Sequence, residues 1–254
     1  MTGSGRHPRG LVAVVTCALA CVVAVLPGCG SSSSKTATST ALGSQTPSSS
    51  SAAASPSASP PSASQLAKIV LQPADFPAGW ARKPYEADPN EAAEDAALAR
   101  CLGASLKSDR VAEVHSDDFA LGEAGFSSSA GGYRSQSAVD SHVVALRGSK
   151  ASLCYEQLLK QTIATALPAG STIDSVSFKL TPGSAGGPAN VVETGAGAFK
   201  FSVSGVPVVA NVRVAFIIGP LIQTEVTGFN VAVPVSASLM DSLVAAVAKR
   251  AARP

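Results

Sequence analysis

Residues 199–229 read FKFSVSGVPVVANVRVAFIIGPLIQTEVTGF. Phe199, Phe201 and Val203 alternate with Lys200 and Ser202 up to Gly205, the period-two pattern of a strand with one buried face. A second apolar run, 206–218, follows at once; Gly219-Pro220 marks the next turn, and 221–229 makes a third strand. Turns this short join antiparallel neighbours, because parallel strands need a crossover of about a dozen residues or more. The stretch therefore predicts an antiparallel meander. Centring its turn on Gly219-Pro220 sets Arg213 opposite roughly Val226, with Glu225 one residue away. A one-residue slip would make Arg213 and Glu225 a cross-strand pair; otherwise both side chains face solvent.

Working outward, 236–250 carries Leu239, Leu243 and Val247 on one helical stripe and ends in Lys249 and Arg250. This terminal helix is expected to cover Phe199, Phe201, Phe216 and Phe229. Residues 173–180 alternate as a further strand, and 182–188 reads as a Gly-rich loop. Before them come helix patterns at 136–147 and 150–167, a Ser-rich strand at 125–134 and a short strand at 110–116. In that last strand Val111, Glu113 and His115 alternate with Ala112 and Val114. Asn90 can cap a helix to Leu102, with Glu91, Glu94 and Asp95 in its first turns and Gly103 at its stop. Clusters of strands and clusters of helices indicate an α+β fold: one domain, 65–254, with an antiparallel sheet, a C-terminal meander and flanking helices.

The N-terminal part has a different character. Arg6 and Arg9 precede an apolar run that begins at Leu11 and closes on Leu26-Pro27-Gly28-Cys29. A basic segment, an apolar core and small residues before a cleavage point make a secretory signal peptide over 1–28. The ending resembles the lipobox of bacterial lipoproteins, whose cysteine is acylated, and that resemblance marks Cys29 as the lipidated first residue of the mature chain. A membrane-spanning helix is the competing reading, but sixteen residues from Leu11 to Leu26 fall short of the about 20 that spanning requires. Residues 29–64 are rich in Ser, Ala, Pro and Thr and predict a disordered tether of order 30–35 Å end to end. Its hydroxyls suit O-glycosylation, and a bare spacer fits equally well.

The formal charge of +2 includes Arg6 and Arg9, which leave with the leader, so the mature chain is close to neutral. No basic cluster survives to follow a phosphate backbone, and nucleic acid is excluded as a partner. The expected partner is the membrane, through lipidated Cys29 at its outer face, together with an envelope ligand or protein. In that oxidising compartment Cys101 and Cys154 are expected to pair. A thiolate metal site is the alternative, although neither cysteine has a second Cys or a His at ligand spacing.

Few residues offer chemistry. His115, followed by Asp117 and Asp118, is either a weak metal or acid–base grouping or a solvated strand end. Gly125-Phe126-Ser127-Ser128-Ser129 lacks the last glycine of a nucleophile elbow, and phosphate-loop, dinucleotide, His-Glu-x-x-His and EF-hand spacings are absent. No catalytic residue, metal or cofactor is assigned. Asp75-Phe76-Pro77-Ala78-Gly79-Trp80 is the densest local signature, and Phe76 and Trp80 either plug one end of the core or line a ligand groove.

Residues 74–80, the Cys101-Leu102-Gly103 helix end and Cys154 on a later helix together resemble a group of actinobacterial secreted lipoproteins of unknown function. The resemblance covers most of 65–250. A more distant similarity in plan is to the extracytoplasmic sensor-like domains of actinobacterial membrane kinases, which usually carry two disulfides where this domain can form one. The sparse titratable groups favour a non-enzymatic ligand-binding or sensor-like module of the cell envelope. An envelope hydrolase and a lipid carrier with an apolar cavity are the alternatives.

Overall fold

A computed structural model describes residues 59–104, 109–183 and 190–253. Cys29, the leader, most of the tether and the loop at 184–187 lie outside the described residues. Helix α1 (Ala63–Leu66) comes first, then strand β1 (Ala81–Lys83) and helix α2 (Glu91–Leu102). Strands β2 (Arg110–His115), β3 (Asp118–Leu121) and β4 (Ala124–Tyr133) follow, and then helices α3 (Gln136–Arg147) and α4 (Ala151–Ala166). Strands β5 (Thr172–Pro182), β6 (Val191–Val203), β7 (Val206–Gly219) and β8 (Ile222–Val231) lead to helix α5 (Ala237–Ala251).

The strands form one antiparallel sheet in the order β1-β3-β4-β8-β7-β6-β5, with β2 also paired to β4. The fold is α+β, and its C-terminal meander has four strands, β5 to β8, one more than residues 199–229 alone imply. Strand β6 also starts earlier than Phe199, running through Gly195 and Gly197. Both glycines are needed there. A Cβ on Gly195 would stand 2.4 Å from the Phe178 ring, and one on Gly197 would stand 2.6 Å from the Ser177 carbonyl oxygen.

The meander register differs from the sequence expectation. Arg213 faces Gly228 and Glu225 faces Phe216. The loop residues are Pro220 and Leu221, with Leu221 at φ +57°, so the turn centre sits one residue later than Gly219-Pro220. Nor does Glu225 face solvent: it is buried.

Helices cover both faces of the sheet. Phe199, Phe201, Phe216 and Phe229 are buried as expected, yet they lie under α2, α3 and α4 rather than under the terminal helix. Strict alternation is the reason: along β7 and β8, Phe216 and Phe229 point to one face while Ala215, Ile217, Ile222 and Val226 point to the other. Helix α5 packs on that second face through Met240, Leu243 and Val247, with Leu66 and Ile69 beside it. Cys101 and Cys154 form a disulfide that joins α2 to α4, which closes the thiolate-metal alternative. Asn90 precedes α2 as expected, but its side chain makes no capping bond; Asp88 Oδ1 accepts the Asn90 amide at 2.7 Å instead.

The folded body begins before Gln65. Ser62 caps α1 in a reciprocal box with Gln65, and buried Pro61 occupies the place where a Cβ on Gly132 would be, 2.7 Å away. The Asp75–Trp80 signature is a clamp. Asp75 takes two bonds of 2.8 Å from the Arg250 guanidinium, which also donates to the Ile69 and Val70 carbonyls. Phe76 stacks on Phe119 with ring centroids 4.3 Å apart, and Trp80 meets Phe126 edge-on at 5.4 Å. Both rings are half-buried and close one end of the second core.

Candidate functional site

Directly opposed residues of antiparallel strands share a face. His115 faces Ser129, Ser129 faces Glu225, Glu225 faces Phe216 and Phe216 faces Glu193, so one rung crosses five strands on the side covered by α2, α3 and α4. The rung is apolar at Phe216 and polar toward β2. On β4 this face carries the small residues Gly125, Ser127, Ser129 and Gly131 up to Tyr133 at the strand's end, and their short side chains keep the sheet surface low there, a recess between α2 and the sheet. A Cβ on Gly131 would stand 3.0 Å from Arg110 Cδ and 3.2 Å from the Tyr133 hydroxyl, so this position has no room for a side chain.

Acidic and aromatic side chains converge on the recess. Helix α2 brings Glu91, Glu94 and Asp95, all buried. Thr162 of α4 donates to Glu94 Oε1 at 2.5 Å. His142 of α3 bonds Gln223 of β8 at 2.7 Å and meets the Tyr133 ring edge-on. Glu113 and His115, two apart on β2, share a face by strand periodicity, and the N-terminal turn of α2 brings Glu91 to them. One ligand atom from each of Glu91, Glu113 and His115 lies within 4.8 Å of the other two. Arg110 Nη1 donates to Glu113 Oε1 at 2.9 Å, and His115 Nε2 is 3.7 Å from the same oxygen. Tyr85 stacks on the His115 ring, 4.0 Å between centroids and 5° between planes, and its hydroxyl donates to Glu91 Oε2 at 3.1 Å. These three residues could hold a metal, although the sequence reading assigned none.

Asp117, grouped with His115 on the sequence, does not join it. In an unbroken strand residues 115 and 117 would share a face. Here Phe119 faces Phe126 while His115 faces Ser129, four residues along one strand against three along the other. The extra residue is absorbed at Ser116, whose hydroxyl accepts the Ser128 amide at 2.9 Å and donates to the Asp117 carbonyl. The face assignment flips across this break. Asp117 pairs with Arg82, and Asp118 stands on the side opposite Phe119, which is the His115 side. Burial pushes the Asp118 carboxyl up to about 6, with Asp117 and Glu86 adding to the rise and Lys83 and His115 opposing it.

Glu225 of β8 is a further buried acid on this face. Burial holds its carboxyl well above the usual range; the Thr227 hydroxyl bond at 3.2 Å opposes that rise and Asp95 adds to it. Burial also raises Glu94 and Glu113. Asp75 goes the other way, because Arg250 and the Gln72 amide outweigh its burial. Acids with raised values hold protons in the folded state that the unfolded chain has released, so their contribution to stability falls as pH rises above about 4–5. The thermal midpoint should therefore be higher at pH 5 than at pH 8. Glu225→Gln should raise the midpoint at pH 8 by at least about 2 °C, the shift that roughly 1 kcal/mol makes in a domain this size, and leave it nearly unchanged at pH 5. Equal midpoints for E225Q and wild type at pH 8 would show that Glu225 is ionised without penalty.

Ser129 stands opposite His115, the place on this face where a hydroxyl and an imidazole are neighbours. His115 directs Nε2 toward Glu113 and its ring onto Tyr85, and among the described residues no hydrogen bond joins it to Ser129. Glu91, Glu113, Glu225 and Tyr85 are site residues that the sequence reading passed over. The usable signal was Glu113-Val114-His115, where period two sets acid and imidazole side by side. Among the described residues no helix is long and apolar enough to cross a membrane. The chain matches no family model and no curated protein.

Proposed function

We propose that this protein is a lipid-anchored module on the outer face of a cell membrane that binds an envelope ligand without catalysis, in the recess between α2 and strands β2, β4 and β8. The convergence of Glu91, Glu113 and His115 carries this reading of the site. Buried titratable groups gathered over a recessed sheet surface are characteristic of a binding site, and here they stand on strands and a helix end rather than on loops. The resemblance to actinobacterial secreted lipoproteins and the Leu26-Pro27-Gly28-Cys29 ending support the anchor. A hydrolase would need an activated nucleophile, and the orientation of His115 toward Glu113 and Tyr85 disfavours one at Ser129.

The anchor is tested by expressing the full chain with its leader in a host that processes lipoproteins. Wild type should fractionate with membranes and begin at acylated Cys29. Cys29→Ala should release it or stall processing; membrane retention and mature mass unchanged by C29A would overturn the anchor. Native mass spectrometry of the wild type from its own membrane tests the binding role, a retained small molecule being the expected result.

A further inference from the structure

We propose that Glu91, Glu113 and His115 are the ligands of a divalent transition-metal site that binds Zn2+. The inference rests on reading the recess as a binding site and names an occupant for it. Two carboxylate oxygens and one imidazole nitrogen form a donor set suited to Zn2+ and its first-row neighbours; Ca2+ and Mg2+ prefer oxygen alone, and Cu(I) prefers sulfur. The three donor atoms lie within 4.8 Å of one another, and the carboxylates would have to turn inward for all three to reach one ion at about 2.0–2.2 Å.

The surroundings of Glu113 give independent support. Its side chain is 10% exposed, its Oε1 receives Arg110, and its Oε2 is buried with no hydrogen-bond partner. Buried polar atoms are normally satisfied, and a carboxylate oxygen left without a donor is one that a metal ion can satisfy. Arg110 reaches Oε1 alone, so the second oxygen of Glu113 is the one left for a metal ion.

Tyr85 does what an outer-shell residue does at a metal centre. It fixes Glu91 through its hydroxyl and His115 through its ring, so one side chain positions two ligands. Strand periodicity sets the other pair, Glu113 and His115, on one rigid element. Three protein ligands leave the fourth tetrahedral position open, the arrangement of sites that exchange a water or an external ligand.

The test uses full-length protein in detergent, stripped with a chelator and titrated with ZnCl2 by calorimetry at pH 7. One Zn2+ per chain should bind with a dissociation constant of about 10 μM or tighter. His115→Ala and Glu113→Gln should each weaken binding by at least about tenfold, and Tyr85→Phe, which touches no metal, by about 10–100-fold. Zinc-edge X-ray absorption of the loaded wild type should show one imidazole among oxygen donors, a readout that needs no variant to fold. Absence of saturable binding below 1 mM would overturn the proposal, as would a shell without imidazole or unchanged affinity in H115A and E113Q. If Zn2+ does not bind while native mass spectra show a retained small molecule, the metal assignment fails and the binding-module reading stands. If Zn2+ binds and no molecule is retained, the metal assignment holds alone.

Discussion

Phe216→Ala lowers the unfolding free energy by about 3–5 kcal/mol, the range for deleting a fully buried aromatic side chain. Phe216 is 0% exposed and sits on β7, hydrogen-bonded to β6 on one side and to β8 on the other. The Tyr155 ring meets it edge-on at 5.7 Å. With both neighbouring strands pinned and α4 tied down through Cys154, the surroundings cannot collapse into the void. At about 2–4 °C per kcal/mol for a domain of this size, the thermal midpoint falls by about 6–20 °C. Circular dichroism melts of purified F216A decide it. A midpoint within a degree or two of wild type would show that the ring is not packed.

The second large effect is that of the disulfide. Cys101 and Cys154 are 53 residues apart in sequence. In the chain-entropy model, closing a loop of that length removes about 4 kcal/mol worth of freedom from the unfolded chain. Cys101→Ala with Cys154→Ala should lose about that amount, read as a lower midpoint in urea with a steeper slope, because the unfolded state expands. A single Cys→Ala variant should lose nearly as much, since either change opens the loop. Indifference of wild type to reductant, with both thiols then alkylatable, would show that the two helices are held by packing alone. Cys154 lies inside the same core as Phe216. The two losses should therefore fall short of additivity when combined.

Most of the architecture was legible because it is local. Short turns and period-two alternation determine the meander, and stripes such as Leu239, Leu243 and Val247 determine the helices. What could not be read is which face meets which layer. Phe216 and Ile217 are equally apolar, and nothing in β7 alone says which goes under α4 and which under α5. Register failed for a similar reason: Leu221 at φ +57° is an unusual occupant of a turn position that favours glycine. The site was half legible. Glu113 and His115 follow from alternation, but Glu91 reaches them across 22 residues and a change of element. A one-residue bulge at Ser116 then exchanged Asp117 for Asp118 on the His115 side, and no propensity rule reports a bulge of that kind.

One consequence concerns the order of assembly. Strand β4 pairs with β8, so that Gly132 meets Ile222 across 90 residues of chain. A polypeptide leaving the ribosome N-terminus first completes β2, β3 and β4 long before their partner exists. Loop closure of that span should slow this pairing relative to the hairpins from β5 to β8, which join neighbours in sequence. Until then β4 waits with a row of bare amides and carbonyls, the kind of border that recruits other chains. Its composition answers the danger. Gly125, Ser127, Ser128, Ser129, Gly131 and Gly132 make it a poor β-former and a poor candidate for intermolecular stacking. Four of these small residues, Gly125, Ser127, Ser129 and Gly131, also line the recess in the finished molecule, so one run of sequence serves both ends.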